Sequence, residues 1–504
     1  MKRSTFFIAI FCLALAANAQ YTNVIVGDGS EVSIMIDPNN PARLVAGANI
    51  SYVFHSTDTG QTWTQNTLTS SMSVWGDPAI IIDPDGVFYY FHLVGSIDRV
   101  VCQKSLDGGA TWNDGTFTGY NPPDDEDKEW AIVDWTNNPS RGTIYLTWAD
   151  LDAYSSSNPL DSARIMISKS TDKAATWSTP VRLSKTAGNC GFGSIKGAVP
   201  SIGPNGEVYV AWCGNGVSFQ KSTDGGNTWL PQDITVDFQP SWYFTIPGMT
   251  WGNGFPSIAC DLSGGPCNGN IYISWADTRN GANNSDVFLA RSTDGGSTWN
   301  TVKINDDITT NHNFHPWVTV DQVTGYVYVV FYDRRNYTAD SGTDVYLAYS
   351  TDGGAFWTNE KISNTSFLGS PWDYNNVVAY NKIIRPIWAQ SSVVYTALIN
   401  HDDLPVGYDT KALPPGAQLY PNYPNPFYDH TNLKFSLPQN AKVVLKLYNE
   451  MGDEVATLLN GQKFTKGYHE LTFYASRYNL RSGLYSLRLV TNGQQHSIRV
   501  MVER

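Results

Sequence analysis

STDTGQTW (Ser56–Trp63) is the stretch that decides the architecture, because the chain repeats it five more times. The copies are SLDGGATW (Ser105–Trp112), STDKAATW (Ser170–Trp177), STDGGNTW (Ser222–Trp229), STDGGSTW (Ser292–Trp299) and STDGGAFW (Ser350–Trp357). Ser, Asp and Trp never vary, and four copies carry Gly-Gly after the Asp. Recurrence every ~50–70 residues marks an array of similar supersecondary units. Each copy lies where one apolar run, such as DVFLAR before Ser292, meets a shorter one after the Trp, which is a hairpin. The Asp accepts backbone N–H groups inside the turn and Gly supplies positive φ.

This motif resembles the Asp box (BNR repeat) of sialidases, sortilins and related β-propellers. The resemblance implies a propeller whose boxes join third and fourth strands on the face opposite the functional site. Asp58, Asp107, Asp172, Asp224, Asp294 and Asp352 are therefore expected to be turn-builders.

A second repeat counts the blades. VSIMIDP (from Val32), DPAIIIDP (Asp77), EWAIVDW (Glu129), AVPSIGP (Ala198), GFPSIACD (Gly254), FHPWVTVD (Phe314) and YNNVVAY (Tyr374) make seven inner strands. Most are followed by an alternating strand such as EVYVAWCG or YVYVVFYD, the period of a strand with a face in the core. The seventh unit lacks a box, and TNVIVG (Thr22–Gly27) is available to complete it from the other terminus. About 54 residues per unit suits four short strands. The expected fold is all-β: a seven-bladed propeller, with six blades as the alternative, followed by a small β-sandwich.

Residues 1–19 read as a secretory signal: Lys2 and Arg3, an apolar stretch from Phe6 to Ala16, then Ala17-Asn18-Ala19 before Gln20. The propeller is expected over 20–403, a linker over 404–418 and the last domain over 419–504. That segment, with LYPNYPNPF, the GDEV turn, SGLY and the terminal IRVMVER, resembles the C-terminal sorting domain of the type IX secretion system. The resemblance implies passage across an outer membrane, then release or surface attachment, with the secretion machinery as a partner. No later stretch is apolar enough over ~20 residues to span a bilayer.

The formal net charge of -13 disfavours nucleic acid as a partner. An exported chain permits disulfides, and Cys260–Cys267 and Cys190–Cys213 are the expected pairs, with Cys102 left over. No Cys/His spacing suggests zinc, and no cofactor is expected. DDEDKE (Asp124–Glu129) has the oxygen donors Ca²⁺ takes, with a solvated acidic loop as the other reading.

With the boxes on one face, the loops into the inner strands and those leaving the second strands share the other. The former carry Trp75-Gly76-Asp77, Asp127-Lys128-Glu129-Trp130, His312 to His315 and Trp372-Asp373-Tyr374. The latter carry Trp148-Ala149-Asp150, Asp277-Thr278-Arg279 and Tyr332-Asp333-Arg334-Arg335. Aromatics stack on sugars, Arg grips carboxylates and paired acids transfer protons. The candidate site residues are Asp77, Glu129, Asp277, Arg279, His315, Tyr332, Asp333, Arg334, Arg335 and Asp373. Of these Glu129, His315, Arg335 and Asp373 differ between blades and are the stronger candidates, whereas acids recurring at one blade position suit a structural task.

Sialidases use three arginines, the first near the start of the propeller, where this chain reads EVSIMIDP. Arg279, Arg334 and Arg385 are the arginines available for such a triad. Three functions stand: a sialidase-like glycoside hydrolase acting on acidic glycans, a polysaccharide lyase with His315 or Tyr332 as base, and a non-catalytic surface protein that binds glycans or protein partners.

Overall fold

A computed structural model describes residues 21–191, 195–249, 252–337, 342–405, 416–420, 422 and 425–503. The expected signal segment and most of the expected linker lie outside these residues. The chain divides into two units: residues up to Gly354 with Asn359–His401, and Ala355–Thr358 with Asp402–Arg504.

Among the described residues the first unit contains seven four-stranded antiparallel sheets, one with an added two-residue strand. Their inner strands are Ser30–Ile36, Gly76–Ile82, Asp125–Val133, Lys196–Ile202, Ser257–Cys260, Asn313–Val320 and Asn376–Tyr380, defining blades 1 to 7. Each inner strand packs against the next, and that of blade 7 against that of blade 1, so the ring closes. Blade 7 takes its outer strand from the chain start: Thr22–Asp28 pairs with Val393–Asn400, as TNVIVG led us to expect. Each blade is covered on both faces by its neighbours, so second strands such as Val327–Asp333 are buried at every position. Trp148, Trp212, Trp275 and Trp388 fill equivalent places in four blades, all fully buried.

Register fixes which end is which. Ser56, Ser105 and Ser350 of the boxes pair with Leu44, Phe88 and Val327 at the starts of second strands, and so lie at the end where inner strands finish. Within a box, Ser170 Oγ donates to Asp172 Oδ1 (2.8 Å), and Thr176 donates its N–H (2.9 Å) and hydroxyl (2.6 Å) to the same carboxylate. These bonds, the hydroxyl's first, hold Asp172 down to about 2.

The expected disulfides are not formed; all five described cysteines are free thiols. Cys213 and Cys260 face the interior of their strands, and Cys190 and Cys213 donate to the Ser162 and Lys196 carbonyls, each at 3.1 Å.

In the second unit the strands Glu454–Phe464, Ala441–Tyr448, Gly483–Thr491 and Gln494–Val502 form one sheet, and Gln418–Leu419, His430–Leu437 and Gly467–Tyr474 another. Ala441–Tyr448 alternates buried and less buried side chains, and Phe435, Val443, Leu445 and Leu487 lie in the core.

Candidate functional site at the end of the propeller axis

Five inner strands begin with an irregularity of register, and at its first turn stands a residue of positive φ. These are Glu31 (49°), Asp77 (55°), Lys128 (53°), Gly197 (69°) and His315 (48°). A bulge re-aims side chains, and positive φ disfavours residues other than glycine, so four non-glycine residues there single this end out as the candidate site. One step deeper, Trp130 of blade 3 and Trp317 of blade 6 meet across the axis with ring centroids 4.3 Å apart. They separate the bulge ring from an apolar well of about 720 Å³ lined by the lower inner strands.

Around the ring the charges are crowded. Glu31 and Asp77 are neighbours at the ring, and their proximity favours the uncharged form of Glu31. Burial first, then the Asp77 and Asp373 carboxyls, hold Glu31 well above the usual carboxylate range. Asp77, partly exposed, is raised by burial and by Asp127. Asn49 orients the pair: its Nδ2 donates to Glu31, and its Oδ1 accepts the Asp77 N–H at 2.7 Å. Glu129, almost wholly buried, is raised well up by burial and then by Asp77. Lys128 lies in their midst, over the rings of Tyr374 (3.8 Å) and Trp130 (4.7 Å), and burial lowers its pKa. Lys196 pairs with Asp127 and sits over Tyr154 at 4.8 Å. Trp75, Tyr154 and Trp372 are about half exposed, at 54%, 50% and 49%; Trp75 and Trp372 lie within two residues of Asp77 and Asp373 in sequence.

His315 is a buried neutral imidazole, pushed down to about 3 by burial. Its Nε2 accepts the Asn253 N–H at 3.3 Å, which puts the proton on Nδ1. A cavity of about 10 Å³ lies among Lys128, Asn253, His315, Asp373 and Tyr374.

The structure thus brings together Asp77, Glu129, His315 and Asp373, and sets the other six candidates elsewhere. Asp277 and Asp333 are fully buried. Asp277 accepts Arg279 (2.7 Å), which also reaches Asp237 (2.9 Å); Asp333 accepts Arg335 (2.7 Å), which also reaches Asp306 (2.5 Å). Asp150 repeats the arrangement with Arg164. These are rivets between strands and loops. Arg334 is buried, donating to the Pro247 carbonyl (2.5 Å) and Thr343 Oγ1 (3.1 Å). Tyr332 is fully buried against Phe314 and Phe367, so its hydroxyl cannot serve as a base for substrate. Arg385 donates to the Thr59 carbonyl of the first box at 2.7 Å, which places it at the opposite end and dissolves the arginine triad. Sequence reasoning missed Glu31, Lys196 and Tyr154.

Asp124 is bound to Arg164 (2.9 Å), and Asp125 accepts the Tyr154 N–H (2.7 Å). Among the described residues no group of three or more His, Cys, Asp or Glu is arranged to hold a metal ion.

Residues 422–503 match the family described as a secretion system C-terminal sorting domain. The chain is accordingly a type IX secretion cargo, exported or attached at the cell surface. No helix among the described residues is long and apolar enough to cross a membrane. Two curated relatives are xyloglucanases. One is Xgh74A from Acetivibrio thermocellus, 33% identical over 313 residues (54% of this chain, 32% of that protein). The other, from Paenibacillus sp, is 28% identical over 222 residues (41% and 20%). The chain therefore spans a third or less of the length of these relatives. Among solved structures, a PL25 ulvan lyase matches with TM-score 0.47 and 14% identity, covering 75% of this chain and 96% of that one. The Hadza microbial sialidase Hz136 matches with TM-score 0.43 and 15% identity, covering 71% and 73%.

Proposed function

We propose that this exported propeller binds and hydrolyses a neutral polysaccharide at the axial mouth. The observation that carries the reading is the crowding of the Glu31, Asp77 and Glu129 carboxyls at the bulge ring, where Asn49 bonds both Glu31 and the Asp77 backbone and burial favours the protonated acids. A carboxyl that keeps its proton at neutral pH is the general acid that glycoside hydrolysis needs. In the proposed step Asp77, the more open of the neighbouring acids and raised by burial and Asp127, passes its proton to the glycosidic oxygen as the bond to the anomeric carbon breaks. Asp373 takes a proton from the water whose oxygen bonds to that carbon. Lys128 offsets the negative charge of the cluster, and Trp75, Tyr154 and Trp372 supply faces for sugar rings.

The sign of the site favours a neutral substrate. Carboxyls outnumber the two lysines, and Arg279 and Arg335 are held in ion pairs away from the axis. Among the described residues an acidic glycan, whether sialylated or uronate, meets no arginine cluster there, which favours neither sialidase nor lyase chemistry. The two xyloglucanase relatives point toward neutral β-glucans.

The test is product analysis on xyloglucan, other neutral β-glucans and sialylated glycans, with the full chain beside Asp77→Asn and the Arg334→Ala/Arg335→Ala double variant. Reducing ends from a neutral glucan, lost in Asp77→Asn and kept in the arginine variant, support the reading. Released sialic acid refutes it, and retained glycan binding without any product leaves a binding protein in its place.

A further inference from the structure

On the far side of the Trp130–Trp317 contact the axis widens into the apolar well of about 720 Å³, and one register position decides its shape. Asp37, Asp83 and Asp134 follow the inner strands of blades 1 to 3, and two residues before them stand Met35, Ile81 and Ile132. At the same position blades 4 to 7 carry Ser201, Ala259, Thr319 and Ala379. Each of the seven pairs with the second residue of its blade's second strand, as Ile81 does with Tyr89 and Ala259 with Tyr272, so they form one level. All seven line the well. Three bulky side chains on one side and four small ones on the other leave the room beside blades 4 to 7.

Among the described residues no Asp, Glu, Lys, Arg or His lines the well. The aspartates at its end are bent into their own turns. Asp83 accepts the Val87 N–H (3.0 Å) and the Tyr89 hydroxyl (2.8 Å), Asp134 the Thr136 N–H (2.7 Å) and Asp321 the Lys382 N–H (2.7 Å). An ion entering the well would shed water and meet no counter-charge, which is costly. Ser201 and Thr319 are the two hydroxyl residues of the level, and among the described residues neither side chain makes a hydrogen bond. Each hydroxyl can therefore donate to or accept from a guest.

The mouth of the well is built in advance of any guest. Amides bridge neighbouring blades around it: Asn39 Nδ2 donates to the Pro84 carbonyl (3.0 Å), Asn138 Nδ2 to that of Pro204 (3.2 Å) and Gln322 Nε2 to that of Cys260 (2.9 Å). Trp135 Nε1–H adds a bond to the Ile82 carbonyl at 2.9 Å. A pre-formed, apolar space of this size with a few convergent polar groups is the form of a small-molecule site. Water against such walls makes few hydrogen bonds, and an apolar body that displaces it also buries its own surface.

We infer that the well binds an uncharged molecule with a hydrocarbon body and one hydroxyl, of the class of a long-chain alcohol. The body packs under Trp130 and Trp317 beside blades 4 to 7, and the hydroxyl bonds Ser201 or Thr319. The tryptophan pair walls the well off from the axial mouth, so the site stands whether or not that mouth hydrolyses glycans.

The full chain is titrated by calorimetry with 1-decanol, decanoate and decyltrimethylammonium, the two ions below their micelle concentrations. Decanol is expected to bind, and both ions about tenfold more weakly or less. Ala259→Ile with Ala379→Ile gives blades 5 and 7 the side chain that Ile81 and Ile132 place at the same level. That double variant is expected to weaken decanol about tenfold or more, with near-ultraviolet circular dichroism checking its fold. Should it not fold, Ser201→Ala with Thr319→Val, which changes little volume, is expected to weaken decanol about fivefold. Absence of decanol binding overturns the proposal, and so does equal binding of the ions, which marks adsorption at the surface. Decanol binding indifferent to the folded isoleucine variant, or to the hydroxyl variant where the other does not fold, overturns it as well.

Discussion

Two sets of acids share the face opposite the boxes, and they are treated in opposite ways. Asp150, Asp277 and Asp333 close second strands, and each is given an arginine within its own blade. Glu31, Asp77 and Glu129 open inner strands, and each is raised in pKa by burial and by acidic neighbours. The first set recurs because every blade needs a strand end tied down. The second set differs from blade to blade, since the bulge positions carry Glu31, Asp77, Lys128, Gly197 and His315 in turn. Where a scaffold supplies counter-charges so readily elsewhere, placing two buried acids side by side is a departure that serves chemistry better than stability.

The comparison breaks most visibly at Asp77. Asp77→Asn removes the proposed general acid and is expected to lower kcat on a neutral glucan by about 10³-fold, with little change in melting temperature. If Asp77→Asn cost as much stability as an ion-pair variant, the two sets would be alike. Arg335→Ala is the converse: it leaves Asp333 buried without its main counter-charge and is expected to cost about 3 kcal/mol in denaturant unfolding, with kcat retained in what remains folded.

Glu129→Gln sharpens the contrast through pH. A carboxyl whose folded pKa is raised contributes fully below its unfolded pKa, and that contribution is lost as pH rises toward the folded value. Replacing Glu129 removes this loss, so the variant is expected to gain on the parent between pH 5 and pH 8, by ~1 kcal/mol or more at the upper end. Thermal melts across that range read it, and a gain largest at pH 5 would contradict the assignment. The smallest effect is expected from the boxes. Asp172, lowered in the folded state, contributes above its unfolded pKa and loses that contribution as pH falls toward about 2. Asp172→Asn should therefore lower the melting temperature slightly at pH 7 and not at pH 2.

The ring was legible because its signals are local and repeated. A Ser-x-Asp turn and an alternating strand each declare themselves within eight residues, and seven inner strands declare the blade number. Glu129, His315 and Asp373 stood out as residues breaking the repeat and Asp77 as an entry-loop acid, whereas Arg335, singled out on the same ground, is paired with Asp333. Glu31 did not stand out, although it sits at the same bulge position: EVSIMIDP drew attention for the arginine it lacks, and aligning the residue before each Val32-like position would have exposed it. Arg279 and Arg335 misled for a physical reason. An arginine two residues after a buried aspartate is positioned to bend back onto it, and sequence does not distinguish that from an arginine reaching outward. Tyr154 and Lys196 meet the cluster from other blades, a contact no local pattern encodes.

The meeting of Trp130 and Trp317 has a consequence for traffic. A propeller axis is a natural bore, and here it is a cul-de-sac. A polymer engaging the mouth has to lie across it, with both ends in solvent, and whatever is released has to back out along the route it came in. Under the proposed hydrolysis, product would compete with substrate for a single doorway, and the chain ends of the polysaccharide would have no privileged way in.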